Sequence, residues 1–458
     1  MSNKNLKKID FELAKTHFLK GLDFFNNEMF VEAESSFRSS LEIIPDREST
    51  LNNLSATLYK LKNYSESKKI SKKILDINIS NIEAWLNLGN ALLELKQYEQ
   101  ALDSYDKAIN IKQDYAEAWS NRGNALKELK QYEQALDSYD KAINIKPKFA
   151  DALWNKSLIQ LLTSDFKGGW ANYEYRWLRE KSDKKFHQET PSLSNLSDLQ
   201  SSTILVWYEQ GYGDTIQFSR YLNMLSDLGA EVIFESQESL KSLLERSFPR
   251  IKFIKRKEFV SDVDLQVPLL SLPRLFSTDL ISIPTIDRYL SSDPKNLKIW
   301  KDKLNLNHSK LNIGIACSGD KNHVNDKKRS MALSHFEPLS RVANLYLVQK
   351  DLRDSDKDFL KYNPQIKFLG NQISTFDDSA SIVELMDHII TVDTSLVHLS
   401  GALGKPTKVL LAWNPEWRWL LDRQDSPWYQ SVKIFRQPSV GNWESVIKNL
   451  IVHLKLDR

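Results

Sequence analysis

Two stretches of the chain set acidic, hydroxyl and glycine residues where an apolar run ends and a helical pattern begins. In the first, ILVWYE at 204–209 passes through Gln210 into Gly211, Tyr212, Gly213 and Asp214, then into the amphipathic run TIQFSRYLNML. In the second, HIITVD at 388–393 is followed by Thr394, Ser395 and LVHLSGAL, with Gly404 and Pro406 marking the helix exit. A strand-to-helix turn exposes the first N–H groups of the helix, which together with the helix dipole attract an anion such as a diphosphate. Gly211 and Gly213 are expected to supply positive φ and to let a ligand approach the backbone, with Asp214 as helix N-cap. Asp393, Thr394 and Ser395 put three short oxygen-bearing side chains at one helix start, more than capping requires. Ser395 and the amides of Leu396 and Val397 would form a diphosphate cradle. His398 follows about one turn later, where it either faces a cleft or packs as a core histidine.

The elements that must hold these turns alternate in type. Short apolar runs at 204–209, 231–236, 312–317, 345–349, 388–393 and 408–413 read as strands separated by amphipathic helices, which implies parallel sheets with crossover connections. In such sheets ligands bind beyond the carboxyl ends of the strands. Residues 203–305 and 306–458 would form two doubly wound halves, divided in the hydrophilic stretch Asp293 to Ser309. A segment rich in Ser, Asp and Lys at 181–202 reads as a linker.

Residues 1–180 follow another rhythm. Residues 82–115 and 116–149 match at 27 of 34 positions, so the chain duplicates a helical hairpin too short to bury its apolar face alone. Trp85, Gly89, Ala101, Tyr105 and Ala108 recur as Trp119, Gly123, Ala135, Tyr139 and Ala142, the phase of a tetratricopeptide (TPR) repeat. Weaker units precede them, one with Gly21, Ala33, Phe37 and Pro45 in phase and one keeping little beyond Leu51 and Leu54. About five repeats would stack into an all-α solenoid whose groove binds a protein or peptide. Asn53, Asn87, Asn121 and Asn155 fall 34 residues apart and should form a ladder along that groove, unless they tie neighbouring repeats together. The ladder resembles that of protein O-GlcNAc transferase, where amide side chains hold an extended peptide by its backbone.

Composition narrows the remaining classes. A net charge of +3 over 458 residues demands no nucleic-acid surface. No run approaches the roughly 18 apolar residues of a spanning helix. A single cysteine, Cys317, rules out an internal disulfide and fits a reducing cytoplasm. The acidic triplets at Asp262 to Asp264 and Asp354 to Asp356 are too short to specify a metal.

The run from Asp393 to Pro406, with EQGYGD at Glu209 to Asp214, resembles the bacterial TPR-containing glycosyltransferases whose catalytic module is similar to lipopolysaccharide heptosyltransferases, glycosyltransferase family 9. GGWANYEYRW (Gly168–Trp177), HVNDKKRS (His323–Ser330), NPEWRWL (Asn414–Leu420) and DSPWY (Asp425–Tyr429) extend the resemblance over nearly the whole chain. It implies a GT-B fold of two Rossmann-like domains, acceptor in the first and nucleotide-diphosphate sugar in the second, with neither metal nor further cofactor. Heptosyltransferases usually carry Gly where Ser395 stands, a departure that bears on the donor sugar. Carried over, Asp214 takes the place of the catalytic base, with Glu209 and His398 as substitutes. Gly211, Gly213 and the segment Asp393, Thr394, Ser395 to His398 take the donor site. Lys328 and Arg329 would offer fixed positive charge to the leaving nucleoside diphosphate, or be a solvated cluster. Two other classes fit the same residues: a TPR scaffold with a degenerate GT-B module, and a nucleotide-sugar epimerase.

Overall fold

Glycines and aromatic residues in fixed phase decide how the repeat helices pair. The computed structural model of the chain describes residues 3–179, 185–197, 199–258, 260–323 and 325–456; Glu180, residues 181–184 and Asp198, in or beside the expected linker, lie outside the described residues. Helices Asn3–Asn26 and Phe30–Ile43, Glu48–Lys60 and Tyr64–Ile77, Ile82–Glu94 and Tyr98–Ile111, and Ala116–Glu128 and Tyr132–Ile145 form hairpins, and Ala150–Leu162 follows them. A Cβ on Gly89 would stand 2.5 Å from Tyr105 Cε1, and one on Gly123 2.6 Å from Tyr139 Cε1, so only a bare backbone admits the ring of the paired helix. Gly21 and Phe37 repeat the arrangement at 2.6 Å. The second hairpin solves the same contact differently: Ser55 and Ser71 occupy the Gly and Tyr positions and hydrogen-bond at 2.7 Å. Each turn closes on a left-handed residue at the same phase, Glu28, Lys62, Lys96, Lys130 and Ser164, with φ between 59 and 71°.

The chain divides into two compact units, Met1–Ile159 with Leu178–Ser182, and Gln160–Trp177 with Asp183–Arg458. The division expected at 180 is therefore displaced: Gly168 to Trp177 belongs with the α/β residues. Trp170 is buried there, donating its indole N–H to Thr278 O at 2.9 Å and meeting Trp417 edge-on at 5.3 Å. Part of the expected linker is also fixed, because Leu193 N–H donates to Gln266 O at 2.9 Å and Gln266 N–H to Pro191 O at 2.8 Å.

The α/β unit contains β1 (Thr203–Trp207), β2 (Glu231–Ser236), β3 (Lys252–Lys255), β4 (Leu265–Pro268), β5 (Leu311–Ala316), β6 (Ala343–Leu347), β7 (Ile366–Phe368), β8 (His388–Val392), β9 (Thr407–Leu411) and β10 (Val432–Arg436). They form two parallel sheets ordered β3-β2-β1-β4 and β10-β9-β8-β5-β6-β7. Read from β5, the second order is 3-2-1-4-5-6 in reverse, the order of a doubly wound dinucleotide-binding fold, and the first is its four-stranded equivalent. Each sheet has a switch point where the order reverses, between β1 and β4 and between β5 and β8. All six expected strands are present. β2 ends where expected and the other five end one or two residues early, which leaves Glu209, Cys317, Asp393 and Trp413 beyond the carboxyl edges. β3, β4, β7 and β10 were not expected from sequence; all four are edge strands, and KFIK and VKIFR mix buried with exposed positions, so neither reads as a continuous apolar run. The stretch expected to divide the halves, Asp293 to Ser309, lies between the strands of the two sheets and carries a helix, Pro294–Leu304, capped by Asp293 and burying Trp300.

Candidate functional site

Both turns singled out from the sequence lie at switch-point edges, and the helices that leave them pack on each other. Helix Tyr212–Phe218 follows β1, and helix Ser395–Ala402 follows β8. A Cβ on Gly213 would stand 2.7 Å from His398 Cδ2 and 3.5 Å from Ser395 Cα. Gly213 is thus required for helix approach, and neither it nor Gly211 has positive φ; Gly211 has φ −87°. The left-handed residue of that turn is Gln210, φ 60°. Asp214 is not the N-cap either: Gly211 caps, and Asp214 in the first turn accepts the Gly211 N–H at 2.9 Å.

Asp214 is also held from the other half. Arg418 Nη2 pairs with Asp214 Oδ1, Nη1 donates to Glu416 Oε1 at 2.6 Å, and Nε donates to Gln217 Oε1 at 2.6 Å. The Arg418 side chain is 9% exposed, Asp214 19% and Glu416 29%, so the carboxyl groups border an opening while the guanidinium is enclosed. Glu416 lies beyond β9, and burial raises its carboxyl to about 7 against the pull of Arg418, with Asp393 adding to the rise. Leu420, two residues after Arg418, sits at φ 53° and ψ −165°, a strained conformation for a residue with a Cβ. Neither Glu416 nor Arg418 was singled out for a role from sequence. The available signal was two charges set among the tryptophans of NPEWRWL, where burial forces charges to pair.

At the second turn Thr394 is the N-cap, its hydroxyl accepting the Leu396 N–H at 3.4 Å. Val397 N–H donates to Thr394 O at 3.1 Å. The two amides expected to face a ligand are thus engaged by Thr394, while Asp393, Thr394 and Ser395 remain half-buried at the edge. Burial raises the Asp393 carboxyl, opposed first by Arg329. Arg329 therefore faces this cluster, and its buried Nε has no hydrogen-bond partner; Lys328 is exposed beside it. His323, on the loop after β5, is depressed by burial and by Arg329, with Asp214 and Asp393 acting the other way.

His398 and Glu209 are placed for packing. His398 is 6% exposed, its Nδ1 lies 3.0 Å from the Tyr429 hydroxyl, and Trp419 stacks on it with centroids 5.8 Å apart. Burial, with Arg418 next, holds its imidazole well below the usual range and therefore neutral. Enclosure on these sides matches the packed-histidine alternative, not the cleft-facing one. Glu209 accepts both Arg176 Nε and Nη2 at 2.7 Å, and its Oε1 also takes the Leu270 N–H at 3.1 Å. Among the described residues no group of three or more His, Cys, Asp or Glu could hold a metal ion. Asp264 and Asp356, from the two acidic triplets, accept the N–H groups of Thr203 and Leu333.

In the helical unit the four phased asparagines are all half-buried. Asn87 Nδ2 donates to Asn52 O at 3.3 Å and Asn121 Nδ2 to Asn90 Oδ1 at 2.9 Å, each reaching the preceding hairpin. Asn53 Nδ2 instead bonds Ser49 O in its own helix at 2.8 Å. Matches to tetratricopeptide repeat families cover 48–79, 71–103, 89–130 and 116–149. Residues 48–149 are tetratricopeptide repeats. Hence at least two members of the asparagine ladder tie TPR hairpins together, the alternative weighed against peptide binding. TPR repeats are protein-interaction scaffolds, and this supports a protein partner for the unit.

The chain is 23% identical over 315 residues to Protein FlbA of Caulobacter vibrioides, a match covering 63% of this chain and 52% of FlbA. It thus spans about half the length of the curated relative it matches. Similar solved structures include a thermophilic TPR protein of Thermus thermophilus, 17% identical, covering 37% of this chain and 93% of that one with a TM-score of 0.34. MamA from Desulfovibrio magneticus is 18% identical over 35% of this chain and 90% of its own, with a TM-score of 0.31. Among the described residues no helix is long and apolar enough to cross a membrane.

Proposed function

We propose that the α/β unit is a GT-B module that transfers a glycosyl group from a nucleotide-diphosphate sugar to an acceptor hydroxyl, and that the TPR repeats recruit a protein or peptide acceptor. The main support is the meeting of two switch-point edges, with Asp214 from the first sheet and Asp393, Thr394 and Ser395 from the second. Ligands of doubly wound sheets collect at such edges. Arg329, with a buried N–H and no partner for it, adds positive charge beside the Ser395 helix, which suits a diphosphate. The donor requires no metal on this reading, because guanidinium and helix dipole supply the charge that stabilises the leaving diphosphate.

A second reading, a TPR scaffold whose α/β unit has lost turnover, draws support from the engagement of Asp214 by both Arg418 and Gly211. A thermal-shift panel of nucleoside diphosphates and their sugars, run on the full chain, separates binding from its absence. A ligand at about 100 times its Kd stabilises the folded state by about 2.7 kcal/mol. Ser395→Glu, which sets bulk and negative charge at the helix start, is expected to abolish that shift. Undiminished nucleotide affinity in this variant would sink the donor assignment, and binding without donor hydrolysis or transfer would favour the scaffold.

A further inference from the structure

Two carboxyl groups, one from each half of the α/β unit, share the fork of Arg418. Nη1 serves Glu416 and Nη2 serves Asp214. The two groups form a pair bridged by one cation, and burial, with Asp393 adding to it, raises the carboxyl of Glu416. The members of the pair are not equivalent. Asp214 is the anchored one, with Oδ2 spent on the Gly211 N–H and Oδ1 on Arg418. Glu416 is the more exposed, and its remaining contact is with the Arg418 N–H at 3.0 Å in its own turn. Asp393 faces Glu416 from the edge of β8. Arg329 and His323 from the β5 loop face Asp393 and Asp214, and Tyr173 faces Arg418 and Asp214.

We propose, resting on the transferase reading, that Glu416 receives the proton of the acceptor hydroxyl, with Arg418 and Asp214 as positioning residues that hold it at the opening. As the acceptor oxygen bonds to the anomeric carbon, the bond from that carbon to the diphosphate oxygen breaks. Its electron pair stays on the departing nucleoside diphosphate, and the hydroxyl proton passes to the Glu416 carboxylate, from which water removes it. Enclosure, with Asp393 nearby, tunes the Glu416 carboxyl toward neutral pH, where accepting and returning a proton are both accessible.

The test has one readout that needs no turnover. Infrared difference spectra of the full chain between mildly acidic and mildly alkaline solution should show a carboxyl group titrating near neutral pH, and Glu416→Gln should remove it. Asp393→Asn, which removes the acid that raises Glu416, should move that titration down toward the ordinary carboxylate range. With a nucleotide-diphosphate sugar bound, Glu416→Gln should lower the rate of hydrolysis or transfer by about 10² to 10⁴ while donor affinity is kept. A neutral titration that survives Glu416→Gln overturns the proposal, as does a wild-type rate in that variant. Failure of the wild-type chain to bind any nucleotide-diphosphate sugar overturns the transferase reading instead. The proton-acceptor role then falls with it, while the titration still reports the state of the Glu416 carboxyl.

Discussion

Asp214 and Arg418 form an ion pair that joins the carboxyl edge of the first sheet to that of the second. The same guanidinium reaches Gln217 and Glu416, so one side chain closes on three acceptors drawn from both halves. Separating the halves to admit a ligand would strip two of them, Asp214 and Gln217, from a buried charge and leave it Glu416 alone. Arg418 therefore sets a cost on opening at this point as well as the position of the acids.

Substitution of Arg418 follows from that geometry. Arg418→Met leaves Asp214 and Glu416 side by side with no cation, and breaking a buried pair in this way costs about 3 to 5 kcal/mol. Arg418→Lys keeps the charge but cannot fork to three acceptors, so an intermediate loss is expected. Urea unfolding followed by tryptophan fluorescence should rank wild type above Lys and Lys above Met. Equal midpoints would mean that the pair contributes nothing to holding the halves together.

Gly213 is expected to resist even the smallest side chain. Its added Cβ would press on His398, whose ring is locked by Tyr429 and Trp419, so Gly213→Ala should cost about 1 to 3 kcal/mol through overpacking. His398→Ala opens the space. A double-mutant cycle should then return a favourable coupling, because residues in contact do not add. Strict additivity of the two losses would contradict the packing role assigned to His398.

Arg176 and Glu209 test where the α/β unit begins. Their two-pronged pair is buried at both ends and is joined by Glu174, which accepts from Arg176 Nη1 at 2.9 Å, and by Ser271 at 2.9 Å from Arg176 Nη2. Glu209→Gln removes the buried carboxylate and leaves the guanidinium with Glu174 as its remaining carboxylate, with an expected loss of about 3 to 5 kcal/mol. Hydrogen exchange should show weakened protection in Phe166–Tyr173 and around Leu270 together. Loss confined to one of the two segments would argue that the aromatic stretch is not an integral part of this unit.

The repeats and the two turns were legible because each rests on a local signal. The 34-residue period needs only self-comparison, and a strand followed by Gly, Asp or Ser at a helix start shows where a parallel sheet turns. What stayed hidden depends on partners distant in the chain. Asp214 reads as a cap or a base until Arg418, 204 residues away, is seen to hold it. Glu209 reads as a spare base until Arg176 encloses it. Gly213 reads as a conformational glycine, yet the atom that forbids a side chain there belongs to His398. The aromatic stretch Gly168 to Trp177 departs from the repeat pattern but follows directly on the last repeat helix, and the contacts of Trp170 with Thr278 and Trp417 assign it to the other unit.

The asparagines of the repeats carry two roles that one experiment can divide. Asn87 and Asn121 each donate to the preceding hairpin, and a net hydrogen bond of this kind contributes about 0.5 to 1.5 kcal/mol. Asn121 loses more than its own bond when truncated, because Asn90 Oδ1, which also accepts from the Tyr105 hydroxyl, keeps only one donor. The double variant Asn87→Ala, Asn121→Ala should therefore lower the stability of the repeats by about 1 to 3 kcal/mol, measured by circular dichroism during urea unfolding. If the ladder also holds a protein acceptor by its backbone, KM for that acceptor should rise while hydrolysis of the donor is spared. A fall in stability with unchanged KM would leave the asparagines as ties between repeats and move acceptor recognition to other residues of the groove.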